Sequence, residues 1–319
     1  MFEQKSLMFL YAISPVHMGA GQAIGVVDNP IQRERHTGHP VFAGSGLKGA
    51  FRDVFEKARD AGLTERIFGP KTEAADHAGA VSFGDAQLVL FPVRSLREAF
   101  VYATSPTALA RLHRMVSLAG ETPPWHVPQL NGDQVDVCIL SGEGVKELAT
   151  PGTNPQRVVL ETFEFAAHIG EQERKNVEEL GKWLAKAAFP QSEAFAHFRN
   201  KVSKHLVVLS DTRLSHFVEN ATLVEPHVRI DDVSGTADDG GLFYTENVPP
   251  EALFVAPVLA SKERVKKGSD NQGMDATGVM GELAGVFKSE QLVQIGGDAT
   301  TGRGLVVVRL YRKEGNDVR

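Results

Sequence analysis

The chain has 319 residues, of which 42% are hydrophobic, so it can bury the core of one large domain or of two smaller ones. Its formal net charge of −6 argues against indiscriminate binding to nucleic acid, although local basic groups can still bind phosphate. A single cysteine, Cys138, excludes an intramolecular disulfide and suits a cytoplasmic location. No apolar segment reaches the roughly 18 residues of a membrane span, and the N-terminus lacks signal-peptide features, so we expect no membrane partner.

Apolar periodicity, together with glycine and proline, predicts a mixture of strands and helices. The predicted strands cover residues 7–14, 80–93, 158–167, 206–211, 225–231, 241–248, 252–261, 292–295 and 305–311. The predicted helices cover residues 47–62, 107–120, 171–188 and 276–289. We expect Ser45 to cap the first helix and Gly62 to end it. Strands and helices do not alternate strictly, which favours an α+β fold over a doubly wound sheet.

The most informative stretch is the glycine-rich loop that runs from His17 to about Gly46 and leads into the first helix. Flexible glycine backbone followed by Lys48 and Arg52 suits close contact with phosphate. Asp28 is an isolated carboxylate in this loop, and such a group can hold a hydrated Mg²⁺ against a phosphate. The Asp-Asn-Pro run is also a turn signal, and the residue types alone leave both interpretations open.

A second glycine cluster, GGDATTGRG at 296–304, lies between two apolar strands. Its backbone N–H groups can cradle phosphate oxygens, but the same pattern is typical of a β-hairpin turn. Neither this cluster nor GSGLKG at 44–49 has the spacing of a nucleotide-binding P-loop. The chain also lacks HExxH and paired cysteines, so no dense metal site is predicted.

Three runs carry a family resemblance: HMGAG at 17–21, VVDNPIQRERHTGHPVFAGSGLKGAFR at 26–52 and QIGGDATTGRG at 294–304. They resemble the repeat-associated (RAMP) proteins of type III CRISPR effector complexes, and most closely the backbone subunit of the type III-B Cmr complex. YATSPTALARL and HVRIDDVSGTADDGGLFYTENVPPE, at 102–112 and 227–251, extend the resemblance through most of the chain.

The resemblance implies an α+β fold with a modified RRM core, which is a ferredoxin-like β-α-β-β-α-β sheet with insertions. We therefore expect residues 1–319 to form one composite domain, with inserts over roughly 105–250. An insertion in this family forms a protruding β-hairpin thumb. Here the thumb is expected at 223–247 or in the neighbouring segment 205–223.

The resemblance also implies a guide-RNA-binding subunit that cleaves single-stranded target RNA at regular intervals. Cleavage is expected to proceed by metal-dependent attack of the RNA 2′-OH, with Mg²⁺ or Mn²⁺ as cofactor. The implied partners are the guide RNA, the target RNA, further copies of the chain in a helical filament and other Cmr-complex subunits.

Site residues follow from the same resemblance, position by position. Asp28 is the expected catalytic and metal-binding residue, and His17 and Glu246 are further catalytic candidates. The residues expected to bind RNA are Ser45, Lys48, Arg52, Gly297, Thr301 and Arg303.

Two alternatives remain open at the level of the sequence. A non-catalytic RNA-binding scaffold would share every phosphate contact and differ only at Asp28. A type III-A backbone subunit also has an Asp-Asn-Pro run, and Asn29 departs from the larger apolar residue common in the Cmr subunit. The RERHTG run at 33–38 and the chain length favour the Cmr assignment.

Overall fold

The computed structural model describes residues 2–21, 25–71, 78–130, 134–168, 170–264, 273–287 and 290–311. The strands are β1 (Gln4–Ala12), β2 (Val41–Phe42), β3 (Val81–Phe83), β4 (Ala86–Arg94), β5 (Phe100–Thr104), β6 (Val137–Leu140), β7 (Arg157–Leu160), β8 (Phe163–Ala167), β9 (Leu206–Val208), β10 (Leu223–Ile230), β11 (Ala237–Asn247), β12 (Leu253–Ala260), β13 (Gln291–Gln294) and β14 (Leu305–Tyr311). The helices are α1 (Gly44–Ala58), α2 (Ala61–Phe68), α3 (Pro106–Leu118), α4 (Gly142–Leu148), α5 (Glu171–Ala187), α6 (Ala196–Lys204), α7 (Asp211–Asn220) and α8 (Ala276–Phe287). No helix in these ranges is long and apolar enough to cross a membrane.

The centre of the molecule is the expected ferredoxin-like sheet. Its four strands lie in the order β14, β1, β12, β4, and every neighbouring pair is antiparallel. In chain order these strands and two helices give β1-α1-β4-β12-α8-β14, which is the β-α-β-β-α-β connectivity. The rings of Phe51 on α1 and Phe287 on α8 pack 5.4 Å apart over one face of this sheet. The predicted α+β fold class is confirmed.

Both faces of the central sheet are covered, which explains the unbroken apolar run in β1. Met8 and Leu10 belong to the core beneath α1 and α8, whereas Leu7 and Phe9 belong to the core beneath α3 and α5. Alternate side chains of a strand point to opposite faces, so a strand buried on both sides shows no polar alternation.

Apart from the β10–β11 hairpin, the strands between β4 and β12 extend the same sheet. From β4 the order continues through β5, β9, β6, β8 and β7, with β5 and β9 parallel. The helices α3 to α7 lie in this segment. The central sheet and the insertion therefore share one continuous backbone network.

The hairpin of β10 and β11 forms its own two-stranded sheet, which we call the thumb. The turn is shorter than the gap between the predicted strands 225–231 and 241–248, because the pairing continues through a bulge to Ile230 and Ala237. Asp231 accepts hydrogen bonds from the N–H groups of Val233 and Ser234 and shapes this turn. Much of the thumb is exposed, but its base at Thr245 to Asn247 is buried.

The two predicted ends of the first helix are wrong. Helix α1 begins at Gly44, whose N–H donates to Asp85 Oδ1 at 2.7 Å, so Ser45 lies inside the helix. It ends at Ala58, and Gly62 instead belongs to α2, which Asp60 caps. The chain turns because Arg59 adopts extended backbone and the Asp60 side chain accepts the Leu63 N–H, which starts a new helix.

Two predicted strands are each divided in the structure. The stretch 80–93 is divided near Gly84 into β3 and β4. The stretch 158–167 was predicted as one strand but is a tight antiparallel pair, β7 and β8, joined at Glu161 and Thr162. Glu161 has φ of 50° and supplies the reversal without a glycine, so no turn signal was visible. Residues 288–289 of the last predicted helix lie outside the described ranges.

Glu251, in the turn between β11 and β12, gives a pH-dependent stability prediction. Burial raises the pKa of this carboxyl to about 7, and its Oε2 has no hydrogen-bond partner among the described atoms. Folding therefore favours the protonated form, and this stability is lost as pH rises from the ordinary carboxyl pKa towards 7. Glu251→Gln should be about 1–2 kcal/mol more stable than the wild type at pH 8, with the difference vanishing in acid.

Chemical denaturation at several pH values measures this difference. Glu161→Gln is the matched control, because Glu161 is another left-handed glutamate but is exposed. Parallel pH profiles for the wild type and Glu251→Gln would contradict the prediction.

Candidate nucleic-acid site at the base of the thumb

The loop that carries Asp28 is attached to the base of the thumb by backbone hydrogen bonds. Asn29 donates its N–H to the Tyr244 carbonyl and accepts from the Glu246 N–H, each at 3.0 Å. These bonds form a short parallel bridge between Asn29 and Thr245, more than 200 residues along the chain. The predicted active-site loop is thus an extra edge on β11.

Asp28 is exposed, and one of its two carboxylate oxygens is held in place. Oδ2 accepts a hydrogen bond from the Tyr244 N–H at 2.7 Å. Oδ1 has no partner among the described residues, so it can meet a ligand. No group of three or more potential metal-binding side chains occurs in the described ranges. This arrangement fits a hydrated Mg²⁺ bound by one carboxylate and substrate phosphates, which is a usual mode for this ion.

His17 is attached to the same strand. Its Nδ1 lies 2.7 Å from the Glu246 carbonyl oxygen. A carbonyl can only accept, so Nδ1 carries the hydrogen and Nε2 of the neutral ring is the unprotonated nitrogen. The structure therefore brings the two loop residues, His17 and Asp28, onto β11 at positions two residues apart.

Glu246 has a different environment from the other two catalytic candidates. The residue is only 6% exposed, and its carboxylate accepts hydrogen bonds from three groups of the chain itself. The Ile31 N–H donates to Oε2 at 3.1 Å, while Arg33 and the Thr222 hydroxyl donate to Oε1 at 2.5 and 2.8 Å. These contacts make Glu246 an internal anchor for the loop.

The second glycine cluster is the hairpin connection between β13 and β14, as its alternative interpretation expected. It packs on the His17 segment: the Gly297 N–H donates to the His17 carbonyl at 2.9 Å and is therefore already used. Thr301 is exposed, with its hydroxyl donating to the Asp298 carbonyl. Arg303 pairs with Glu225 of the thumb at 2.5 Å. The cluster thus connects the first loop to the thumb.

The start of α1 holds the remaining predicted RNA-binding residues. Ser45 is exposed in the first turn, where backbone N–H groups lack intrahelical partners. Burial, and then the charge of Arg52, lower the pKa of Lys48. Arg52 itself donates to Glu56 and to the Gly69 carbonyl. Ser45 and Lys48 therefore remain available to phosphate, whereas the Arg52 guanidinium is already bound to acceptors of the protein itself.

A cleft of about 790 Å³ connects these parts. Its lining includes Val27 and Pro30, which flank the Asp28 position, and Val224 at the start of the thumb. Ala43 and Asp85, beside the start of α1, also line the cleft. The Asp28 loop, the thumb base and the α1 terminus thus open onto one space.

Sequence reasoning missed several residues that build this site. Tyr244, Arg33, Thr222 and Glu225 act through contacts with residues far away in the chain. Arg33 begins the RERHTG run at 33–38, and membership of that run is the one sequence feature that points to it. The others have no local pattern that distinguishes them from ordinary thumb residues.

Comparisons with known proteins agree with this architecture. The family model of the RAMP superfamily matches residues 9–307. A Pyrococcus furiosus protein named CRISPR system Cmr endoribonuclease Cmr4 is 35% identical over 315 residues, which cover 97% of each chain. A Saccharolobus solfataricus protein named CRISPR system CMR subunit Cmr4 is 25% identical and covers 94% of each.

Solved structures show the same fold. The crystal structure of oligomeric Cmr4 from Pyrococcus furiosus has a TM-score of 0.71 and 28% identity, covering 98% of this chain and 99% of that one. A chain of the type III-B Cmr-beta complex bound to cognate target RNA, seen by cryo-EM, has a TM-score of 0.67, covering 97% of this chain and 98% of that one. At 18% identity this second likeness concerns the fold alone.

Gly296 gives a stability prediction for the site. Its φ is 81°, and a Cβ there would overlap the His17 carbonyl oxygen. Gly302 has the same φ, but a Cβ there would meet nothing within 4 Å. Gly302→Ala should cost only the backbone strain of about 1–2 kcal/mol, and Gly296→Ala should cost clearly more. Thermal unfolding of both variants measures the difference, and equal losses would contradict the proposed contact.

Proposed function

Since this chain belongs to the RAMP superfamily, we propose that it is the guide-RNA-binding backbone subunit of a type III-B Cmr complex and an endoribonuclease that cuts target RNA. The observation that carries the proposal is the exposed Asp28 carboxylate, held on the thumb base beside an open cleft. The extensive similarity to a relative named an endoribonuclease supports it.

The proposed reaction uses the nucleophile that RNA itself carries. The 2′-oxygen attacks the adjacent phosphorus, the bond from phosphorus to the 5′-oxygen breaks, and the products are a 2′,3′-cyclic phosphate and a 5′-OH. His17 Nε2 or Asp28 accepts the 2′-OH proton, and water supplies the proton that the leaving 5′-oxygen takes up. Alignment of the 2′-oxygen with the leaving group provides much of the rate, so a sparse site is sufficient.

We further propose that cleavage depends on a divalent cation, Mg²⁺ or Mn²⁺. Asp28 Oδ1 is the protein group that would hold it, with phosphate oxygens and water as the other ligands. Such an ion stabilises the negative charge that develops on the phosphate. The absence of a dense carboxylate cluster in the described ranges is compatible with this mode of binding.

The thumb is proposed to interrupt the duplex of guide and target next to Asp28. Its surface includes the exposed Phe243, whose ring stacks 5.1 Å from that of the half-buried His227, and the exposed apolar side chains of Val228 and Leu242. Apolar and aromatic groups can stack on bases that leave a helix. One thumb in each copy of the subunit would give cuts at regular intervals.

The proposed partners are the guide RNA, the target RNA, further copies of this chain in a helical filament and the other Cmr subunits. The oligomeric Pyrococcus furiosus relative supports association between copies. A type III-A assignment is less well supported, because the relatives reported above are Cmr proteins. A cytoplasmic location is part of the proposal and is supported by the single, buried Cys138.

Cleavage assays with labelled target RNA and the assembled complex test the catalytic role of Asp28. Asp28→Asn keeps an oxygen that can accept from the Tyr244 N–H but removes the charge. We expect this variant and Asp28→Ala to retain RNA binding and to lose the Mg²⁺-dependent ladder of products, as EDTA addition also should. If both variants cut like the wild type, Asp28 is not the catalytic group. If the wild type binds but does not cut, the scaffold alternative holds.

Guide binding at the start of α1 is tested by the salt dependence of RNA affinity. Lys48→Ala should weaken guide binding and reduce the slope of log K against log salt by about 0.7–1, as expected for the loss of one phosphate contact. Lys57→Ala, at the exposed far end of the same helix, is the matched control and should leave the slope unchanged. Equal slopes for the two variants would place the guide elsewhere.

A further inference from the structure

We infer that Arg33 is a positioning residue for Asp28 and acts through the buried carboxylate of Glu246. This inference rests on the proposed function, because it concerns the same cleavage site. Arg33 lies five residues after Asp28 and does not need to contact RNA to affect the position of the catalytic group. We call Arg33, Glu246 and Thr222 the clamp.

Arg33 joins three parts of the molecule. Its Nη1 donates to the Gly38 carbonyl at 2.7 Å and to the Val218 carbonyl of α7 at 2.8 Å. Its Nη2 donates to Glu246 Oε1 on β11. A guanidinium presents several donors in a fixed plane, so it can hold three acceptors at once in a way that a lysine cannot. These donors face the protein's own acceptors, which argues against a primary role in binding phosphate.

Glu246 transmits the effect of Arg33 to the loop. Its Oε2 accepts the Ile31 N–H, three residues after Asp28. Only 8% of the Glu246 side chain is exposed, so its negative charge depends on Arg33 and the Thr222 hydroxyl for compensation. Removal of one partner of a buried ion pair leaves an uncompensated charge, which the protein relieves by protonation or rearrangement. Rearrangement here would release Ile31 and the loop.

The position of Asp28 depends on that part of the loop. Asp28 and Asn29 meet β11 at Tyr244, and Ile31 meets it at Glu246, so the clamp fixes the second end of the same pairing. In-line attack requires close alignment of the reacting atoms, and a displacement of about 1 Å can cost on the order of 100-fold in rate. Loss of the clamp should therefore lower the cleavage rate without weakening RNA binding.

The test compares Arg33→Ala with Arg35→Ala in the assembled complex. Arg35 is exposed, carries the same charge and lies two residues away, so it controls for a general loss of attraction to RNA. At saturating target RNA, and at a temperature where circular dichroism shows both variants folded, Arg33→Ala should cut about 10–100-fold more slowly with target affinity within about twofold of the wild type. Arg35→Ala should match the wild type in both measurements.

Two further measurements separate positioning from other roles. Adding Glu246→Gln to Arg33→Ala removes the uncompensated charge and should recover part of the lost rate. The dependence of log rate on pH should keep the wild-type slope in Arg33→Ala, because no proton-transfer group is removed. A double variant no faster than Arg33→Ala, or a changed slope, would overturn the inference.

The remaining outcomes distinguish this inference from the proposed function. If Asp28→Asn is inactive but folded Arg33→Ala cuts like the wild type, the clamp does not position Asp28 and only this inference fails. If Arg33→Ala loses RNA affinity together with cleavage rate, Arg33 binds RNA and the inference is overturned. If Asp28→Asn itself cuts normally, the proposed catalytic role of Asp28 fails and the inference fails with it, whereas a wild type that binds RNA without cutting it overturns the proposed nuclease function.

Discussion

The attachment of the Asp28 loop to β11 is the contact on which the rest of the site depends. It combines backbone bonds at Asn29 with the buried carboxylate of Glu246, which accepts from Ile31, Arg33 and Thr222. A buried carboxylate is stable only when charged and polar partners satisfy it, so this contact requires the loop, α7 and the thumb to adopt one arrangement. A loop rich in glycine thereby acquires a defined position.

The fold explains how a small site can lie between distant segments. The ferredoxin-like sheet places the end of β1, and so His17, beside the hairpin that joins β13 and β14. The insertion between β4 and β12 then returns along β11 to the same place. Asp28 can consequently stay exposed next to residues that line the cleft while the backbone of the adjacent Asn29 is paired, which suits a group that must be both exposed and well positioned.

Much of the architecture was predictable because it depends on local burial. The apolar run of β1, the helical spacing around Phe51 and the two strand patterns at 225–231 and 241–248 each reflect the burial of one short segment. The failures were also local in origin: Gly62 resembled a helix end although it lies inside α2, and Glu161 turned the chain without a turn residue. Turn geometry at a non-glycine residue has no strong sequence signature.

The sequence by itself determined the class of fold, the motif that contains Asp28 and the family to which the chain belongs. Only the tertiary structure decided that Glu246 is an internal anchor, that the Gly297 N–H donates to the His17 carbonyl and that Arg303 pairs with Glu225 of the thumb. The physical reason is the range of the interactions. Periodicity records which face of one element is buried, whereas a hydrogen-bond partner about 200 residues away depends on how the elements pack.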